Sequence, residues 1–207
     1  MRPIDKDLKD YVANFAGFMA MRNTGNSLYG SIWDLLLREG RLYSAEPFTK
    51  AEEKQILKAL EGAGCPFEQK RCFYNAQTVA MSGKLGYAEG YVASARLPVP
   101  IEHGWNTLPS GKPVDLTMRE DGERNTNDPK KLLERAKKNR VNGYIGLSFP
   151  ADEIRKSWLR NGYSIMMIED PVIQRKIIEK GYPASWKSPG LSGLNPEEEE
   201  ILGYQDV

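Results

Sequence analysis

Histidine is almost absent from this chain of 207 residues, which carries a single one, His103. That scarcity excludes a metal site built on several imidazoles, a common way for proteins to hold a transition metal. Cysteine is nearly as rare. Cys65 and Cys72 are too few for a disulfide-stapled scaffold, and neither has partners at zinc-finger spacing. Charge of one sign is lacking too: 29 Lys and Arg stand against 28 Asp and Glu, a formal net charge of +1, so the strongly basic balance of a general nucleic-acid binder is missing. No apolar run comes near the roughly 20 residues that cross a bilayer. Residues 1–10 place charges where a signal peptide needs its apolar core. The expectation is a cytoplasmic protein with no membrane segment and no metal or organic cofactor.

Hydrophobic residues at 40% and charged residues at 28% are ordinary globular usage, which argues against disorder and fibrous repeats. At roughly 100–200 residues per domain, this length favours one core with appendages. Residues 5–21 and 28–39 read as helices separated by Asn23-Thr24-Gly25-Asn26, the first with an apolar stripe of Leu8, Val12, Phe15 and Met19. Thr49 followed by Glu52 is a capping-box pattern, so a third helix covers residues 51–60 and ends at Gly62 or Gly64. Phe73, Ala76, Val79 and Ala80 have helical spacing and put Cys72 at a helix start, with Gly83 as the stop.

Residues 87–97, 101–108 and 112–117 are short, rich in β-formers and punctuated by Pro98, Pro100 and Ser110-Gly111, the pattern of a small antiparallel sheet. Asp128-Pro129 opens a charged surface helix over residues 129–139. Residues 144–149 read as a buried strand, 152–160 as a helix and 163–168 as strand-like. Asp170-Pro171 then opens a last helix that Gly181 closes. The expected organisation is α+β: an N-terminal helical layer (1–64), a core (65–186) and an extended acidic tail (187–207) with the run at 197–200.

Chemistry concentrates in the core. A thiol attacks only as thiolate, and a helix N-terminus beside an imidazolium favours that form. Cys72 has the helix start. His103 lies at a strand edge in Pro100-Ile101-Glu102-His103-Gly104-Trp105-Asn106, and a turn at Pro109-Ser110-Gly111 would bring Val114-Asp115-Leu116-Thr117 beside it. A carboxylate between apolar residues needs a partner, and an imidazole N–H on the next strand supplies one while orienting the ring. Cys72, His103 and Asp115 are thus the candidate nucleophile, base and orienting acid.

The order Cys, His, Asp, with the cysteine opening a helix and the others on adjacent strands, resembles the transglutaminase-like branch of the papain-like cysteine enzymes. His103-Gly104-Trp105-Asn106 and the Asp-x-Thr of Asp115 and Thr117 carry the likeness, over about residues 65–118. The resemblance implies a papain-like core and acyl transfer on an amide or ester through a thioester, to water or to an amine, with a protein, peptide or other amide-containing substrate. In that scheme the backbone N–H of Cys72 steadies the oxyanion, Gln69 is a candidate second donor, Trp105 a wall of the cleft and Asn106 a support for the histidine strand.

Blander readings stand beside this one. Free cysteine is more often inert packing, and Cys65 keeps that reading; Trp105 reads as core before substrate contact, and a turn cap is the alternative for Asp115. Lys130, Lys131, Arg135, Lys137, Lys138 and Arg140 read as a solvated helix face, not a nucleic-acid patch, because Glu134 is interleaved and aromatic neighbours are lacking. Gly83-Lys84-Leu85-Gly86 lacks the full phosphate-loop pattern. Two other function classes use the same residues: a binding or inhibitory protein that keeps the scaffold without turnover, and an assembly protein working through its N-terminal helices and acidic tail.

Overall fold

A computed structural model of the chain describes residues 1–20, 28–63, 67–68, 70–119 and 123–187. The architecture is α+β. Among the described residues there are seven helices: α1 (Pro3–Ala20), α2 (Ile32–Glu39), α3 (Lys50–Ala63), α4 (Cys72–Met81), α5 (Pro129–Asn139), α6 (Ala151–Asn161) and α7 (Pro171–Lys180). Five strands accompany them: β1 (Arg41–Leu42), β2 (Gly86–Ala93), β3 (Ile101–Thr107), β4 (Pro113–Val114) and β5 (Gly143–Phe149). The strands form one sheet in the order β1-β5-β2-β3-β4, every pairing antiparallel. No described helix is long and apolar enough to cross a membrane.

Local chemistry accounts for most element starts. Thr49 and Glu52 form a reciprocal capping box, the Glu52 amide donating to Thr49 Oγ1 at 3.2 Å and the Thr49 amide to Glu52 Oε2 at 2.7 Å. Asp128 caps α5 through the Lys130 N–H, and Asp170 caps α7 through Val172 and Ile173, each with proline at the first helical position. α2 begins later than its periodicity suggests, at Ile32. Ser31 is its cap, accepting from the Asp34 amide at 3.1 Å.

Side chains of a strand alternate between faces, so β2 sends Tyr87, Glu89 and Tyr91 one way and Ala88, Gly90 and Val92 the other. Both faces are covered, and residues 87–92 are all buried. The first face meets Leu8 and Val12 of α1, Leu35 and Leu36 of α2, Ala76 and Ala80 of α4, and Ile173 and Ile177 of α7. The N-terminal helices therefore share the core of this sheet. On the second face Trp105 packs with Tyr43, Ala88, Val92 and Tyr144. Gly146 permits this: a Cβ there would lie 2.6 Å from the Trp105 indole. A further apolar cluster joins α3 to α5 through Ile56, Val79, Leu108, Val114 and Leu132.

Three further details depart from the sequence expectation. Residues 163–168 form no strand; a single 3-10 turn, Met167–Glu169, stands at their end. The Met167 and Ile168 amides donate at 2.9 and 2.7 Å to the buried carboxylate of Glu89, which uses the groups a neighbouring strand would have needed. Phe15 is 40% exposed, and Ala16 takes its place in the buried stripe of α1. Arg135 is no part of a solvated face: it is buried, bonds Glu123 at 2.7 and 2.9 Å and donates to the Leu116 carbonyl at 3.0 Å.

Candidate active site

Cys72 is the first residue of α4 and is half-buried. Arg71 precedes it as N-cap without a side-chain capping bond. Lys70 has φ 62, a left-handed conformation that non-glycine residues rarely adopt, so the chain turns sharply just before the cysteine. Asn75 holds this approach in place. Its buried amide accepts from the Glu68 N–H at 3.0 Å, donates to the Glu68 carbonyl at 2.7 Å and donates to Thr117 Oγ1 at 3.1 Å. One side chain thereby ties the segment ahead of Cys72 to the turn that follows Asp115.

β3 meets α4 at a glycine. A Cβ at Gly104 would come within 2.9 Å of the Phe73 ring and 3.2 Å of the Phe73 Cα, so only a residue without a side chain lets strand and helix start approach this closely. Asn106 fastens the same pair further along, donating to the Ala76 carbonyl at 2.8 Å and to that of Gly86 at 3.1 Å. β4 pairs with β3 only at Asn106 and Thr107, so the β3 edge around His103 has no neighbouring strand among the described residues.

His103 is buried, and its Nε2 lies 3.0 Å from Asp115 Oδ2. The ring N–H does not point straight along that line, so the contact is an ion pair more than an aligned hydrogen bond. Asp115 is fully enclosed. Its Oδ1 accepts from the Thr117 and Met118 amides at 2.9 and 3.1 Å, and its Oδ2 accepts from the Tyr144 hydroxyl at 2.9 Å. Asn139 holds the Asp115 carbonyl at 3.0 Å. The His103 ring lies nearly parallel to Trp105, centroids 6.4 Å apart.

These contacts decide the protonation of the pair. Burial alone would push the His103 pKa down, but the Asp115 charge and contact, with hydrogen bonding and charge interaction from Cys72, outweigh it and push the pKa up to about 10. Burial acts on Asp115 in the opposite sense, raising its pKa. His103 and the two backbone N–H groups override it and hold the carboxyl below its ordinary range. Both shifts favour imidazolium beside carboxylate. Burial and the Asp115 charge keep the Tyr144 phenol well above its usual pKa, so it remains a donor.

Of the candidates from the sequence, Cys72, His103 and Asp115 are brought together, and Asn106 joins strand to helix. Trp105 is 1% exposed and packs in the core beneath His103, so it walls no open cleft. Gln69 and Cys65 lie outside the described residues, as does the tail beyond residue 187. Sequence reasoning missed Asn75 and Tyr144. The first had a weak signal, a polar residue beside the apolar positions of α4; the second, a tyrosine in a buried strand, had none. Among the described residues no group of three or more His, Cys, Asp or Glu side chains is placed to hold a metal ion.

The fold and site together define an α+β protein with a cysteine at a helix start beside a buried histidine and aspartate. No protein-family model, curated protein or solved structure matches the chain.

Proposed function

We propose that this centre performs acyl transfer through a thioester, with Cys72 as nucleophile, His103 as general base and acid, and Asp115 as the group that orients His103. One observation carries the reading: a lone histidine, buried and fixed by a buried aspartate at 3.0 Å, also interacts with a cysteine that opens a helix. A helix on an antiparallel sheet with this chain order is also the arrangement of the papain-like core that the sequence resembles.

His103 already holds its proton, so Cys72 attacks as thiolate: sulfur forms a bond to the carbonyl carbon while the carbonyl π pair moves to oxygen, where negative charge gathers. The backbone N–H of Cys72, at the positive end of the α4 dipole, stabilises that oxygen. His103 gives its proton to the departing amine or alkoxide as the oxygen's charge re-forms the carbonyl and the carbon–heteroatom bond breaks, leaving a thioester and a neutral imidazole. Water or an amine, deprotonated by His103, then attacks the thioester and releases Cys72. A peptide or another amide is the substrate class.

A simple activated ester tests this without knowledge of the natural substrate. p-Nitrophenyl acetate should release a burst of nitrophenolate equal to the enzyme present and add one acetyl mass to Cys72 by peptide mapping. Cys72→Ala should give neither. Acetyl distributed over lysines with Cys72 unmodified would contradict the proposal.

A further inference from the structure

An open groove of about 390 Å³ lies on the helical face of the sheet, beside the start of β3. Its walls include Ile32 and Leu35 of α2, Met166, and Ile177 of α7, while the exposed carboxylates of Glu102 and Glu169 stand at its rim. No lysine or arginine lines it among the described residues. The interior is apolar and the rim is acidic.

Its position relates it to Cys72. Glu102 and Gly104 are two apart on β3, so their side-chain directions share one face of the sheet, about 7 Å apart along the strand. Gly104 is the residue pressed against Phe73, next to Cys72 in α4. The acidic rim thus begins one strand repeat from the helix start that carries the thiol. Glu102 is held by the Tyr91 hydroxyl, which donates to its Oε1 at 2.9 Å, so the carboxylate is presented with acceptor capacity to spare. Glu169 is fixed as well, because the turn that bears it is bonded to buried Glu89 through the Met167 and Ile168 amides.

A long apolar stem ending in a cation fits such a surface: methylenes cover the isoleucine, leucine and methionine wall while the charged head meets carboxylates at the mouth. We propose that this groove binds a basic side chain, arginine or lysine, of a polypeptide substrate whose amide is presented to Cys72. The proposal rests on the acyl-transfer reading for the role of the bound chain. The binding itself is independent of turnover.

The test is an NMR titration of the Cys72→Ala protein with pentylguanidinium and, separately, with pentylurea, which keeps the stem and removes the charge. Pentylguanidinium should shift the amide resonances of residues 166–169 and 177–178 and bind about tenfold more tightly than pentylurea, the scale of two partly exposed ion pairs. Glu102→Gln with Glu169→Gln should bring the two affinities together while leaving the spectrum of the free protein largely unchanged. Equal affinities in the parent, shifts confined to other regions, or no binding of either probe would overturn the proposal. Since Cys72→Ala has no nucleophile, failed acylation of the parent protein together with successful binding here would count against the thiol centre and not against the groove.

Discussion

At the residue scale, two buried ionisable groups with raised pKa values, His103 and Glu89, make stability fall as pH rises from about 4.5 to 10. His103 has a folded pKa of about 10 against an ordinary 6.5, so its contribution is fully present below pH 6.5 and is lost as pH rises through 10. Glu89 is also raised, to about 7. Burial dominates there, and the bonds from Tyr87, Ile168 and Met167 pull only part of the way back. A raised carboxyl favours the folded state while protonated, so its contribution is full below pH 4.5 and is lost as pH rises through 7. Urea midpoints measured against pH should therefore fall in two windows. His103→Gln should flatten the alkaline window and leave the one between pH 4.5 and 7, whereas an unchanged alkaline fall in that variant would show that His103 does not carry it.

Elements join the site to the core, and glycine and glutamate are the joints. Gly104→Ala inserts a methyl against the Phe73 ring and backbone, which can yield only by moving the start of α4 by tenths of an ångström. The expected outcome is a folded protein whose Cys72 acetylation slows several-fold; wild-type kinetics would mean that the approach of helix and strand is not limiting. Glu89 joins β2 to the 3-10 turn, with Tyr87 donating to it at 2.5 Å and Gln77 donating to Tyr87 at 3.1 Å. At pH 5 the Glu89 acid carries one proton, which the Tyr87 oxygen can share, whereas the amide of Glu89→Gln carries two, so one N–H must face the Met167 N–H at a cost of about 1–3 kcal/mol. Hydrogen exchange at Met167 and Ile168 should accelerate in this variant. Unaltered protection there would contradict the pinning role.

These joints also explain what the sequence reveals and what it hides. Helices bounded by local chemistry were legible to the residue: α5 from Asp128-Pro129, α7 from Asp170-Pro171 and Gly181, and α4 from its apolar spacing. Residues 163–168 were not. Their apolar run suits a strand as well as a covering loop, and only the arrival of Glu89 from β2, about 80 positions away, decides between them. β1, two residues paired with Gly146 and Ile145, is too short to have any period.

At the scale of the whole molecule, the site is assembled from parts that meet only in the folded chain. Cys72 comes from a helix start, His103 from the part of β3 that β4 leaves uncovered and Asp115 from the residue after β4. Tyr144 of β5 and Asn139 of α5 hold the aspartate from elements later in the sequence. The order Cys, His, Asp and their local settings could be read from the sequence because each sits on a recognisable element. Asn75 and Tyr144 could not, since their value lies in contacts across 42 and 29 positions. Any enhanced reactivity of Cys72 must then be a property of the fold, and the most direct test compares one thiol in two states. Limiting iodoacetamide at pH 6.5, with peptide-resolved mass spectrometry, should alkylate Cys72 at least about tenfold faster in the native protein than in urea, by the logic of imidazole-assisted thiols. His103→Gln should remove that difference. Native Cys72 reacting no faster than the unfolded chain, or at the same rate with and without His103, would contradict the thiol centre.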